Sequence, residues 1–471
     1  TVSTYVPHRL DEGYGVNAEA LETLANQGAK VVVTVDCGIT AIHESDVARA
    51  NGLDLIITDH HNPPATTADL PDAFAVVHPR HPDSDYPFGD LCGAGVAFKL
   101  AWRIATCASG SDRVADDLRA LLVSLLAPTA LGVIADVVPL LGENRVIARH
   151  GLGRVKHSSI PGLRALVEAS RLSGNDVSAE DVGFRIAPRI NACGRMGHAG
   201  EAIELLTTAT GPRARAIAQM LSKLNDDRRA TETTIRKQAE QLAEQSGMTG
   251  PDRRAIVLAH EDWHPGVIGI VCSRLVDRHA RPTILLQRQG DVCVGSGRSV
   301  DRFNLHAALE RCSDLLERFG GHDMAAGLRV APDRLDAFTE RFTSIANEQI
   351  GPEDLTHDLH VDCRAELGEL SVESVRGLSS LAPFGRSNPR VRVRVGGLRV
   401  ADHPEVFGRD SRHLKLRVRD GDAWATVVAW GWAEHKETIP AGAGIDVVVE
   451  PKISDFSGRV EPVLEDLRLA T

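Results

Sequence analysis

Val31-Val32-Val33-Thr34-Val35 runs straight into Asp36-Cys37-Gly38, and Leu53 to Thr58 runs into Asp59-His60-His61. Fully apolar runs rich in Val and Ile read as buried parallel strands, and ligand sites in open α/β sheets gather at the carboxyl ends of such strands. Between them, Ala41 to Gly52 reads as a short helix closed by Asn51-Gly52. The unit is therefore β-α-β, with both acidic clusters at one sheet edge. Carboxylates and imidazoles gathered in one crevice are what a hydrated divalent cation takes as ligands.

Outward from that unit, residues 1–200 keep an α/β character, including an apolar helical stretch from Asp116 to Ala130 that leads into Leu131 to Pro139 and delivers Asp136 from buried surroundings. Residues 201–248 read as a connecting helix or helix pair with a charged middle at Asp226 to Arg229. Residues 249–351 read as a second, smaller α/β region, with strands near Ala255–Ala259, Thr283–Gln287 and Val292–Gly295, and with Gly320-Gly321-His322 expected as a tight turn. Residues 352–471 change to short β segments with turn signals, as expected of a small β-barrel.

The 471 residues are 43% hydrophobic and 25% charged, ample for two to four domains with real cores. No uninterrupted apolar stretch reaches membrane-spanning length, and Thr1 to Tyr5 lacks the flanks of a signal peptide, so no membrane partner is expected. The eight cysteines form no Cys-x-x-Cys pair, which argues against a zinc site or disulfide framework and fits a reducing cytoplasm. A formal charge of −11 argues against indiscriminate nucleic-acid binding while allowing a local basic track.

Six motifs stand in a fixed order: Asp36-Cys37-Gly38, Asp59-His60-His61, Ala135 to Pro139, Arg189 to Gly197, Ser296-Gly297-Arg298 and Gly320-Gly321-His322. In order and spacing this set resembles the RecJ family of the DHH phosphoesterases, whose members end in an OB fold. The resemblance covers nearly the whole chain. It implies a two-domain core around two Mn²⁺ or Mg²⁺ ions, cutting single-stranded DNA from its 5′ end into mononucleotides in repair and recombination. Single-stranded DNA, a single-strand-binding protein and a helicase are the implied partners of a monomeric enzyme. RecJ-like chains also carry an Asp-x-Asp strand upstream of Val6 to Gly15. This chain begins at Thr1, so it reads as a fragment expected to hold one ion firmly at most and to show little nuclease activity alone. The alternatives are a DHH oligoribonuclease or phosphatase, which would lack the terminal basic β domain, and a non-catalytic single-strand-binding relative.

By resemblance, Asp36, His60 and Asp136 are metal ligands, with Asp59 behind them orienting an imidazole. The lesser alternative for Asp36 is a carboxylate capping a helix at Thr40 to Glu44, which the nearby Asp59-His60-His61 disfavours. Adjacent histidines on an extended backbone point to opposite sides, so His60 and His61 are expected to do different tasks, His61 facing the substrate. Arg9, Ser296 and Arg298 match positions that grip a terminal 5′ phosphate, a task suited to a guanidinium fork. Arg195, with Arg189 and Asn191, is expected near the scissile phosphate, Gly194 and Gly197 allowing close approach, and His322 is expected to contact substrate. His264-Pro265-Gly266 offers the free N–H groups of a helix start to an anion.

A basic track lies in the last domain. Arg390-Val391-Arg392-Val393-Arg394-Val395 and Leu414-Lys415-Leu416-Arg417-Val418-Arg419 alternate with period two, which puts apolar side chains inward and Arg392, Arg394, Lys415 and Arg417 on an outer face. Few acids lie nearby in sequence, and Trp424, Trp430 and Trp432 could stack bases. The expectation is one cationic platform for single-stranded DNA.

Overall fold

The computed structural model describes all residues except 1, 8–11, 13, 14, 173–175, 197, 198, 357, 455, 456 and 471. The chain divides into two compact units, one of residues 24–155, 176–183 and 359–471, the other of residues 1–23, 156–175 and 184–358.

The first unit opens with a parallel sheet of β1 (Val31–Val35), β2 (Asp54–Thr58) and β3 (Ala75–Val77) in the order 1-2-3. The register runs from Val31 opposite Asp54 to Val35 opposite Thr58, so β1 and β2 end level. Asp36 and Asp59 therefore leave the sheet at the same edge, and the Asp36 N–H donates to the Thr58 carbonyl at 2.9 Å. Helix α1 (Ile42–Ala50) makes the crossover. β2 is buried through Leu55 and Ile57, as its sequence predicts. β1 is not buried on both faces. Val31, Val33 and Val35 are each about half exposed, because among the described residues β1 is the edge strand of this sheet.

Three helices follow, α2 (Gly93–Ala108), α3 (Asp116–Ala135) and α4 (Gly142–Val155). α3 continues past Ala130 to Ala135, so Asp136 is its C-cap. Taken whole, α3 is long and apolar enough to cross a membrane by length and composition, which the charges at Asp116, Asp117 and Arg119 mask when only unbroken apolar runs are counted.

Among the described residues the same unit holds seven further strands: β9 (Cys363–Arg364), β10 (Val393–Val400), β11 (Glu405–Phe407), β12 (His413–Asp420), β13 (Ala423–Ala429), β14 (Gly444–Ile453) and β15 (Val460–Leu469). Their order is β11-β12-β13-β15-β14-β10-β9, and an additional β10–β12 pairing closes β10, β12, β13, β15 and β14 into a five-stranded ring. The period-two reading holds. Val393, Val395, Leu398 and Val400 of β10 and Leu414, Leu416 and Val418 of β12 are all buried together in the ring's core. Full burial of side chains of this size is worth about 1.5–3 kcal/mol each.

The second unit is built on a five-stranded sheet, order β4-β5-β6-β8-β7, from β4 (Ile256–His260), β5 (Thr283–Gln289), β6 (Val292–Arg298), β7 (Arg318–His322) and β8 (Ala325–Val330). Helices α5 (Ala187–Met196), α6 (Gly211–Gln245), α7 (Pro265–His279) and α8 (Leu335–Gln349) belong to it. The connecting helix is thus a single 35-residue element, α6, preceded by a short helix at Gly200–Thr207. Gly320-Gly321-His322 is not a turn. It is the end of β7, paired with Ala325 to Gly327 of β8, and the reversal falls at Asp323-Met324. Gly321 has φ +141°, and an added Cβ there would lie 2.6 Å from the Ala326 Cα, so the glycine serves close strand pairing. The segment from Arg189 is likewise helical, and among the described residues a Cβ at Gly194 would meet only the Ala199 Cβ at 3.9 Å, so packing within the chain does not require that glycine.

Candidate metal centre and nucleic-acid interface

At the carboxyl edge of β1 and β2, His60 Nε2 stands 3.0 Å from Asp36 Oδ1 and 3.3 Å from Asp136 Oδ2. The three residues come from three separate segments. His60 Nε2 is buried and meets hydrogen-bond geometry with neither carboxylate. A buried imidazole nitrogen left without a hydrogen bond between two carboxylates is the donor set of a divalent cation, and this arrangement fits Mn²⁺ or Mg²⁺ with water completing the shell. Burial pushes the Asp136 carboxyl above its ordinary range, His60 opposes that and Asp36 adds to it, so a bound cation would relieve the site.

The backbone is strained at this edge. Asp36 sits at φ +67° and Val137 at φ +57°, a conformation that a β-branched residue rarely adopts. Asp36 does not cap α1, whose N-cap is Ala41 and which has no side-chain capping hydrogen bond. Asp59 is buried, and burial alone would raise its pKa. Hydrogen bonds from the His61 ring and from the N–H groups of Ile39, His60 and His61 outweigh that and hold it well below the usual carboxylate range. Its bond to His61 Nδ1 is 2.7 Å and raises the His61 pKa.

His60 and His61 do not point to opposite sides. β2 ends at Thr58, and both histidine N–H groups fold back onto Asp59 Oδ1, at 2.7 and 3.2 Å, so the two rings lie 4.7 Å apart. Ligand atoms of Asp36, His60 and His61 all fall within 4.8 Å of one another.

Other residues join this site without a motif to announce them. The Arg80 guanidinium donates to the His60 carbonyl at 2.9 Å, and His78 Nε2 lies 2.8 Å from the His61 carbonyl. His78 Nδ1 accepts from the Arg80 N–H, so Nε2 carries the proton, and burial lowers the His78 pKa in keeping with a neutral ring. Both residues leave β3, the third parallel strand, whose carboxyl end was the available signal. Gly93, the first residue of α2, packs directly on Asp36.

In the second unit, Arg195, Ser296 and Arg298 come together at the start of α7. Arg195 Nη1 donates to the Gly266 carbonyl at 3.0 Å, and Arg298 Nη1 donates to Ser296 Oγ at 3.0 Å. Burial and then the charge of Arg298 lower the Arg195 pKa, the signature of two guanidiniums crowded where an anion would be welcome. A Cβ at Gly269 would lie 2.9 Å from Ser296 Oγ and 3.2 Å from Arg298 Nη2, so α7 approaches this pair only because residue 269 has no side chain. His264 caps the helix through Nδ1, accepting from Gly266 N–H at 3.1 Å, so that donor is already used rather than free for an anion. Arg189 is engaged locally, donating through Nε to Ser222 Oγ at 3.0 Å, while Asn191 is exposed on α5. His322 is exposed at the end of β7. Arg9 lies outside the described residues.

The expected cationic platform divides in two. On β10, Arg394 Nη2 donates to Asp446 at 2.7 Å, and just before it Arg392 Nε pairs with Glu465 at 3.3 Å. Arg390 pairs with Glu180 and Glu450. Acids distant in sequence thus neutralise Arg390, Arg392 and Arg394, against the expectation of a bare positive face. On β12 the cations lie against rings: Lys415 sits 4.9 Å from the Phe407 ring centroid, and Arg417 and Arg419 sit 5.6 and 6.0 Å from that of Trp424. Among the described residues, the one acid paired with them, Asp402 on Arg417, is an exposed contact of little energetic weight. Trp424 and Trp430 are half exposed, whereas Trp432 packs against the ring's core and leaves the candidate stacking surface.

Residues 1–127 match the DHH family N-terminal domain, 252–348 the DHHA1 domain and 361–465 the RecJ OB domain. The chain is 38% identical over 98% of its length to the single-stranded-DNA-specific exonuclease RecJ of Bacillus subtilis, and spans 57% of that relative. It is 36% identical to the RecJ of Dickeya dadantii, covering 88% of this chain and 73% of that one. The crystal structure of Thermus thermophilus RecJ in complex with Mn²⁺ superposes with a TM-score of 0.81 at 32% identity, over 96% of this chain and 64% of that chain. A crystal structure of exonuclease RecJ bound to manganese gives 0.61 at 36% identity, over 75% and 84%. A DHH sheet, a DHHA1 sheet and a terminal OB ring in this order, with relatives of this identity and coverage, place the chain in the RecJ family.

Proposed function

We propose that the chain supplies the cutting and strand-binding parts of a metal-dependent 5′-to-3′ exonuclease specific for single-stranded DNA, releasing 5′ mononucleotides. The observation that carries the proposal is the unsatisfied His60 Nε2 held between Asp36 and Asp136 at the sheet edge. The similar Thermus thermophilus structures, in complex with Mn²⁺ and with Mg²⁺, support the choice of ion.

Divalent ions held there by Asp36, His60 and Asp136 would supply an activated water and neutralise charge on the phosphodiester. Asp59, buried and ionised, fixes the His61 ring through Nδ1, so that the ring can carry positive charge toward a phosphate. Arg80 and His78 hold the His60 and His61 carbonyls and keep both rings in place. In the other unit, Ser296 and Arg298 bind the terminal phosphate together with Arg9, and Arg195 adds a second guanidinium. His322, Arg189 and Asn191 are assigned to the path of the strand. The β12 face binds single strands by charge and stacking. A terminal OB ring is what an oligoribonuclease or phosphatase reading leaves unexplained. A cytoplasmic monomer supplied with single strands by a helicase and a single-strand-binding protein completes the proposal.

The test uses the complete gene product in Mn²⁺. Linear single-stranded DNA with a 5′ phosphate should be degraded to mononucleotides, with blunt duplex and circular single strands resistant. Equal digestion of the circle, which has no end, would refute the exonuclease reading.

A further inference from the structure

Asp36 reaches His60 from a left-handed backbone at φ +67°, which fixes where its side chain leaves the chain. The carboxylate still needs a wall to stop it turning away. That wall is the first turn of α2, and the residue facing it is Gly93, the N1 position after the Cys92 N-cap. A Cβ on Gly93 would lie 2.6 Å from both Cβ and Cγ of Asp36 and nearer still to Oδ1, the oxygen that faces His60 Nε2 at 3.0 Å. Contacts under 3.0 Å are not tolerated, and here the neighbour cannot move cheaply. Its backbone is tied to β2 by the Asp36 N–H to Thr58 carbonyl bond, and its Cβ is itself one of the clashing atoms.

Gly93 is buried and its φ is unremarkable, so neither a turn nor backbone freedom explains the glycine. The next glycine on the same helix, Gly95, differs. A Cβ at Gly95 would meet the end of a flexible leucine, Leu91 Cδ2, at 3.0 Å, which a rotamer change can absorb.

We infer that Gly93 is a positioning residue of the metal centre, its missing side chain being the space that lets the Asp36 carboxylate stand beside His60 and Asp136. The inference rests on the metal-centre reading above and adds a residue to it. Gly93→Ala should displace Asp36 Oδ1 and weaken cation binding, as the loss of a residue supporting a ligand commonly does, by about 10–100-fold.

The experiment titrates Mn²⁺ into the complete gene product, followed by the electron spin resonance of bound ion, for wild type, Gly93→Ala and Gly95→Ala. The expected result is binding by wild type and Gly95→Ala, and binding at least about tenfold weaker with a changed spectrum for Gly93→Ala. Wild-type protein that binds no Mn²⁺ would overturn the metal-centre reading itself. Wild-type binding matched by Gly93→Ala would overturn the role of Gly93 alone. Should Gly93→Ala fold poorly, thermal melts with Asp36→Gly decide the matter, since glycine suits φ +67° and removes every clashing atom. Gly93→Ala should lower Tm in the wild-type background and not in the Asp36→Gly background. An equal drop in both would refute the inference.

Discussion

β10 and β12 carry the same pattern, cation-apolar alternation with buried valines and leucines, yet they present opposite surfaces. At the start of β10, Arg392 and Arg394 are drawn to acids that arrive from β15 and β14. Asp446 accepts from Arg394, from Arg468 and from the Gly397 N–H, at the bulge where β10 shifts register against β14. On β12 the register partners of Lys415, Arg417 and Arg419 are Glu405, Thr426 and Trp424, and among the described residues Lys415 lies against the Phe407 ring rather than in an ion pair with Glu405, so the three cations stand beside aromatic faces. A period-two pattern says which face a side chain takes. What pairs with it there is decided by the strand next door.

The contrast can be broken most decisively on β12. Replacing Lys415, Arg417 and Arg419 together with Ala should weaken single-strand binding and flatten its log–log salt dependence by up to about 2, from about 0.7 per phosphate on single strands. Titrations at several salt concentrations check it, and an unchanged slope would make the face merely solubilising. Trp424→Ala should cost about 1–3 kcal/mol of affinity if a base stacks there, with little change in slope. The smallest expected effect on DNA is that of Arg392→Ala with Arg394→Ala, whose charges are already spent, so affinity and slope should stay near wild type. The partner Asp446 sharpens this. Arg394, then the Gly397 N–H and Arg468, hold its carboxyl below the ordinary range. Its stabilisation is therefore full above the unfolded pKa of about 3.9 and fades as pH falls below it. Asp446→Asn should melt earlier than wild type at pH 7, and the gap should begin to narrow below about pH 4 and vanish only as pH falls through the depressed folded pKa.

The sequence made the β1–β2 edge legible because two parallel strands ending in register carry their own rule: Asp36 and Asp59 must leave together. Asp136 followed from the apolar helix before it. What stayed hidden depends on contacts across long separations. Gly93 is one glycine among 42 until Asp36 is seen against it. Asp446 and Glu465 neutralise arginines some fifty or more residues away, which composition near β10 does not register. His60 and His61 share a side because Asp59 wraps the backbone after β2, a local turn that overrides the alternation of an extended chain. Gly320-Gly321-His322 looked like a turn and proved to be strand, since Gly321 allows the close pairing of β7 with β8.

The division of labour between the sheet-edge centre and the β12 face is tested most directly by Asp136→Ala in the complete gene product, with nuclease rate in Mn²⁺ and single-strand affinity measured on the same preparation. Asp136 stands 3.3 Å from His60 Nε2 and far in sequence from β12. Cutting should be abolished while affinity stays within about twofold of wild type, since the strand-binding charges are untouched. Near-normal cutting, or loss of binding in step with loss of cutting, would contradict the account.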